Sequence, residues 1–112
     1  MAKLERQLQG DFKELLGKIE QGIMKGSVSA SLEDGSDFVT GDVQAAVRVF
    51  ERYSWIGKNR VSLSVTLLAK GRQIFVSAIS SGGSQAVFMK LNTFGESAFL
   101  SRLSEILDQY RG

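Results

Sequence analysis

Between Val43 and Leu91, apolar and polar residues alternate through four successive stretches. Val43, Ala45, Val47 and Val49 are followed by Val61, Leu63, Val65 and Leu67, then Ile74, Val76 and Ala78, then Val87, Met89 and Leu91. Side chains two residues apart leave a strand on the same side, so these rows predict an antiparallel sheet with one strongly apolar face. A three-residue loop at Trp55-Ile56-Gly57 and a two-residue turn at Lys70-Gly71 then fix a register. It sets Val49 opposite Leu63, Val47 opposite Val65, Leu67 opposite Ile74 and Val65 opposite Val76. A slip by a single residue would turn a whole strand over and destroy this apolar-on-apolar matching.

The flanking segments follow other periods. Leu4, Arg6 and Leu8 alternate with Lys3, Glu5 and Gln7, which predicts a strand over 2–9. Leu4, Leu8 and Phe12 also fit a helix extended backwards; the break at Gly10-Asp11 favours the strand. Asp11, with Glu14 three residues on, has the spacing of a capping box. Phe12, Leu15, Leu16, Ile19 and Ile23 then form one stripe of a helix over about 11–24. Val28, Ala30 and Leu32 predict a second strand, and Glu33 to Asp37 has turn chemistry. Phe38 and Val39 resume the sheet before a turn at Gly41-Asp42. After a turn at Ser80–Ser84, a last strand is expected over about 86–91. Thr93 and Glu96 open a final helix over about 94–110, with Phe99, Leu103, Ile106 and Tyr110 on its buried side.

The order strand, helix, meander, helix predicts an α+β fold for a single domain spanning 1–112. Its single antiparallel sheet has about five to six strands, and both helices pack on one face. That topology resembles helix-grip and TATA-binding-protein-like folds, which carry many unrelated functions.

Composition narrows the chemistry. The chain has no Cys and no His. Disulfides, thiolate nucleophiles, zinc fingers, iron–sulfur clusters and a Ser-His-Asp triad are excluded within one chain, and so is the usual general base near neutral pH. No catalytic residue, metal site or cofactor is assigned. The net charge is +2, with 14 basic and 12 acidic residues interspersed as in Lys3-Leu4-Glu5-Arg6, a distribution that argues against nucleic acid as a partner. No apolar run has the length of a membrane span or a signal segment, so the expected location is cytoplasmic.

Two groups of residues stand out on the face expected to be turned away from the helices. Phe50, Phe75, Ile79 and Phe88, with Ala46, interleave with Ser62, Ser64, Thr66 and Ser77 in a pattern suited to contact between subunits. A homodimer is therefore expected, with those four large side chains at its interface. The bland alternative is a wet face with scattered hydrophobes. Arg48 and Arg52, beside Tyr53 and Trp55, have the chemistry to hold a small anionic ligand, although arginines that are solvated or paired are commoner. A ligand of anionic or apolar character has a second expected place, a groove between the sheet and the last helix. Ser80–Ser84 lacks the Gly-Lys-Ser/Thr ending of a phosphate-binding loop, and Asp34, Asp37 and Asp42 lack calcium-loop spacing. The leading expectation is a non-enzymatic dimerising domain that binds a partner or small ligand. Its alternative is a small enzyme or sensor acting on an anionic metabolite through Arg and carboxylate residues.

Val47-Arg48-Val49-Phe50-Glu51-Arg52-Tyr53-Ser54 and Asn59-Arg60-Val61-Ser62-Leu63 resemble a family of small proteins from Gram-positive bacteria. Ser81-Gly82-Gly83-Ser84-Gln85-Ala86 and Asn92-Thr93-Phe94-Gly95-Glu96 are similar to the same family, and the likeness runs nearly the full length. The resemblance implies a compact bacterial cytosolic domain of unknown function and transfers no functional site.

Overall fold

The alternation at the N-terminus forms a strand, β1 (Ala2–Gln9), and Asp11 caps the helix that follows, α1 (Phe12–Lys25). The Asp11 carboxylate accepts a hydrogen bond from the Glu14 amide at 2.8 Å. The reciprocal half of the capping box is supplied from elsewhere. The Asp11 amide donates to the Tyr110 hydroxyl at 2.8 Å, so the far end of the chain satisfies the start of the first helix. The remaining elements are β2 (Ala30–Thr40), β3 (Val43–Ser54), β4 (Asn59–Lys70), β5 (Gln73–Gly82) and α2 (Met89–Gln109). The computed structural model describes residues 2–26, 29–54, 59–82 and 89–111.

The strands form one antiparallel five-stranded sheet in the order β1-β5-β4-β3-β2, with both helices on the same face. Leu15, Ile19 and Ile23 of α1 and Phe99, Leu100, Leu103, Ile106 and Leu107 of α2 pack on Leu63, Val65, Leu67, Val76 and Ala78. This is the α+β architecture that the periodicities predict. Among the described residues, Phe99, Leu103 and Leu107 fill the space between the sheet and α2, all three buried.

Four local expectations are corrected. The β3–β4 register is displaced by a single residue: Phe50, not Val49, lies opposite Leu63, and Arg48, not Val47, lies opposite Val65. Pairing ends at Ser54 and Asn59, so four residues join the strands instead of three. The strand is turned over as a result. Ala46, Arg48, Phe50 and Arg52 face the helices, while Val43, Ala45, Val47 and Val49 face away. The β4–β5 register is displaced by two residues, with Leu67 opposite Val76 and Val65 opposite Ala78, which leaves every side chain on its expected face. The tight loop there is Gly71-Arg72, and Gly71 adopts φ +60, a conformation open to glycine without strain.

The Glu33 to Asp37 segment is no turn. β2 runs through it with a bulge between Leu32 and Asp34. Finally, Met89 to Leu91 belong to α2 and not to a strand, and Thr93 lies inside that helix instead of starting it. A short apolar alternation fits helix and strand alike, and here the helix takes it.

Candidate functional site

Turning β3 over moves the arginines. Arg48 reaches under α1, where its Nε donates to Glu20 at 2.6 Å and its Nη2 to Asp37 of β2 at 2.9 Å. Its Nη1 donates to the Val47 carbonyl at 2.9 Å. All three nitrogens are thus engaged within the protein. The hydrogen bond it donates to Glu20 holds the guanidinium pKa above its ordinary value against the opposing effect of burial, with Asp37 adding to the rise. Gly35 lies opposite Arg48, and a Cβ at that position would come within 2.9 Å of the arginine's Cδ and Nη1. The acidic, glycine-containing stretch of β2 is therefore the cradle of this side chain. Arg48→Met should cost about 1–3 kcal/mol in urea denaturation, since two charge-assisted hydrogen bonds are lost and both carboxylates are left without their cation. A loss below about 0.5 kcal/mol would show that the cluster holds nothing together.

The other candidates go to separate places. Arg52 also faces the helices, its guanidinium 4.9 Å from the centre of the Phe99 ring, and burial lowers its pKa. Tyr53 lies on the opposite face, paired with Arg60, and its carbonyl accepts from Ser29 at 3.0 Å. Trp55 lies outside the described residues. The structure does not assemble Arg48, Arg52 and Tyr53 into one anion site. No group of three acidic residues is placed to hold a metal ion among the described residues.

The face turned away from the helices carries the remaining candidates. Phe50 is not part of it, being fully buried in the core beside Leu63, and Ala46 is buried as well. Phe88 lies outside the described residues. Phe75 and Ile79 are there as expected, and the reversed β3 brings Val43, Ala45, Val47 and Val49 to join them. One row crosses four strands without interruption: Phe38, Ala45, Leu68 and Phe75. Another runs Asp34, Val49, Ser64, Ile79 and Lys3, so it is apolar and hydroxylic between an acid at one edge and a base at the other. Phe38 is 62% exposed, Leu68 48% and Ile79 42%, and with Phe38 and Leu68 in one unbroken row these exposed side chains are neighbours and not scattered singly.

Phe38 and Leu68 escape a simple reading of the sequence. The doublet Leu67-Leu68 is a signal for one of them, since neighbours in a strand cannot share a face. Near this row an open hollow of about 530 Å³ is lined by Gln7, Gln9, Leu68, Lys70, Gln73 and Phe75, among others. A smaller crevice, about 270 Å³, separates the helices on the other side, with Lys18, Lys25 and Arg102 around it. The Arg102 Nε there donates to the Gly22 carbonyl at 3.0 Å and so joins the two helices.

No helix among the described residues is long and apolar enough to cross a membrane. No curated protein matches the chain. It belongs to DUF6054, a family of unknown function, whose family model matches residues 1–111.

Proposed function

We propose that this chain is a non-enzymatic binding domain that works as a homodimer, its open sheet face covered by the same face of a second copy. The observation that carries this reading is the unbroken row Phe38, Ala45, Leu68 and Phe75, flanked by Val43, Val47, Val49 and Ile79 and facing away from both described helices. Burying such side chains stabilises an association by about 25 cal/mol for each Å² of apolar surface removed from water. In this reading Phe75 and Ile79 contribute to the interface, and Leu68 and Phe38 join them, whereas Phe50 is in the core. The absence of His and Cys from the sequence, and the engagement of Arg48 by Glu20 and Asp37, favour a binding role over catalysis at the arginines. A bacterial cytosolic setting goes with this reading, supported by the family resemblance at 47–54 and 59–63.

Light scattering on a size-exclusion column tests it. The wild type should elute at twice the chain mass, and Leu68→Glu should weaken the dimer by about 100-fold or more, because a charge placed at the centre of an apolar interface must be desolvated. The thermal melt of the Leu68→Glu monomer should remain cooperative, since Leu68 is outside the core. A wild type that stays monomeric at high concentration overturns the proposal.

A further inference from the structure

The open face carries enough detail to say how two copies meet. Resting on the sheet-face dimer proposed above, we infer that the two sheets stack with their two-fold axis running along β4, so that β1 of each copy lies over β2 of the other. Five strands of 8 to 12 residues, about 4.8 Å apart and rising about 3.3 Å per residue, make a face of roughly 800 Å². That is about the area each partner contributes to a standard, stable interface. Only an arrangement that overlays the whole face uses all of it.

Rotation about an axis parallel to the strands preserves height along them and exchanges the two edges. β4 is the middle strand of the five, so it lies over itself. Lys3 and Asp34 stand at the same height on opposite edges, joined through Ile79, Ser64 and Val49. The rotation therefore places Lys3 over the partner's Asp34 and Asp34 over the partner's Lys3, a charge complementarity that occurs twice by symmetry. In the next apolar row, Phe75 comes over the partner's Ala45, a large ring against a small side chain, and Leu68 meets the partner's Leu68. Gln7 comes over the partner's Phe38 and covers the most exposed ring of the face. Ile79 meets the partner's Val49. Two like-charge pairs are brought together on β4: Lys70 stands beside the turn at Gly71, from which its long side chain reaches water, and Arg60, at the other end of the strand, keeps its own counter-ion in Glu51 at 2.6 Å. An axis across the strands does none of this. Centred on the Val47 row it sets Glu5 against the partner's Glu5, and centred on the Phe38 row it leaves Lys3 and Asp34 beyond the overlap.

The native chain has no cysteine, so single introduced thiols report contacts without background. Ser64→Cys, Thr66→Cys and Leu68→Cys sample the outward side of β4 along its length. With the axis along β4, mild oxidation or a short bismaleimide should cross-link all three variants to themselves. A cross-link at one of the three only, accompanied by Phe75→Cys or Phe38→Cys linking to itself, means an axis across the strands and overturns the inference while the dimer stands. No cross-link in a species that scatters as a dimer overturns it equally. A monomeric wild type removes the underlying reading instead, so the two failures are told apart. Charge exchange gives an independent readout: Lys3→Glu should weaken the dimer by about 3- to 10-fold, and adding Asp34→Lys should restore it. Independent, non-compensating effects of the two changes overturn the proposed pairing.

Discussion

Phe50→Ala is expected to destabilise the fold by about 3–5 kcal/mol, while Val49→Ala beside it should cost no more than about 1 kcal/mol. Phe50 is fully buried opposite Leu63, packed in the cluster that holds Leu15 and Leu103, so its removal leaves a cavity in addition to the lost burial. Val49 points to the open face, where a missing pair of methyl groups leaves no hole. Urea denaturation in a Leu68→Glu background keeps association from contributing to either value. The ranking decides the orientation of β3: if Val49→Ala were the costlier change, the strand would face the other way and the open face would lose its four apolar β3 positions.

That orientation is the part of the fold that escapes the alternation rule. In β4 and β5 the inward rows, Val61, Leu63, Val65 and Leu67 with Ile74, Val76 and Ala78, are regular enough for the period of two to turn the strands the right way. β3 is apolar on both faces, with Val43, Ala45, Val47 and Val49 on one and Ala46 and Phe50 on the other. The longer aliphatic row favours the helices on pattern alone. What decides against it is non-local. An inward Arg48 is tolerable only because Glu20, twenty-eight residues away on α1, and Asp37, on β2, lie within hydrogen-bonding reach. The same non-locality hides β2, whose Asp and Gly residues have the composition of a turn but serve the arginine and the bulge. The open face is legible as a mixed sheet face, and Phe75 and Ile79 lie on it. Phe38 and Leu68 were hidden by the assumption that one strand has one greasy side.

Gly10→Ala should lower stability by about 2–4 kcal/mol, a large effect for the addition of one methyl group. Gly10 is buried at the junction of β1 and α1, and a Cβ there would overlap the ring and hydroxyl of Tyr110. To make room, Tyr110 must swing out, which breaks its hydrogen bond with the Asp11 amide and uncaps α1. Arg6 adds to the same seam, bonding Asp108 at 2.6 Å and Ser104 at 3.0 Å on α2. The test is non-additivity in urea melts. In a Tyr110→Ala background the space already exists, and Gly10→Ala should then cost less than about 1 kcal/mol. Equal costs in both backgrounds would mean that the glycine answers to something other than the tyrosine.

The bulge in β2 has a consequence for assembly. A flat, regular edge invites another chain to add as the next strand, and repetition of that step yields ribbons and fibres. Here the displaced residues between Leu32 and Asp34 kink the border strand, and the charges of Asp34 and Asp37 stud it, so a newcomer finds no straight ladder to extend. Growth sideways is blunted at this margin. The proposed contact through the broad side is by contrast self-limiting, because each molecule has one such side to offer, and an assembly built on it would end at two.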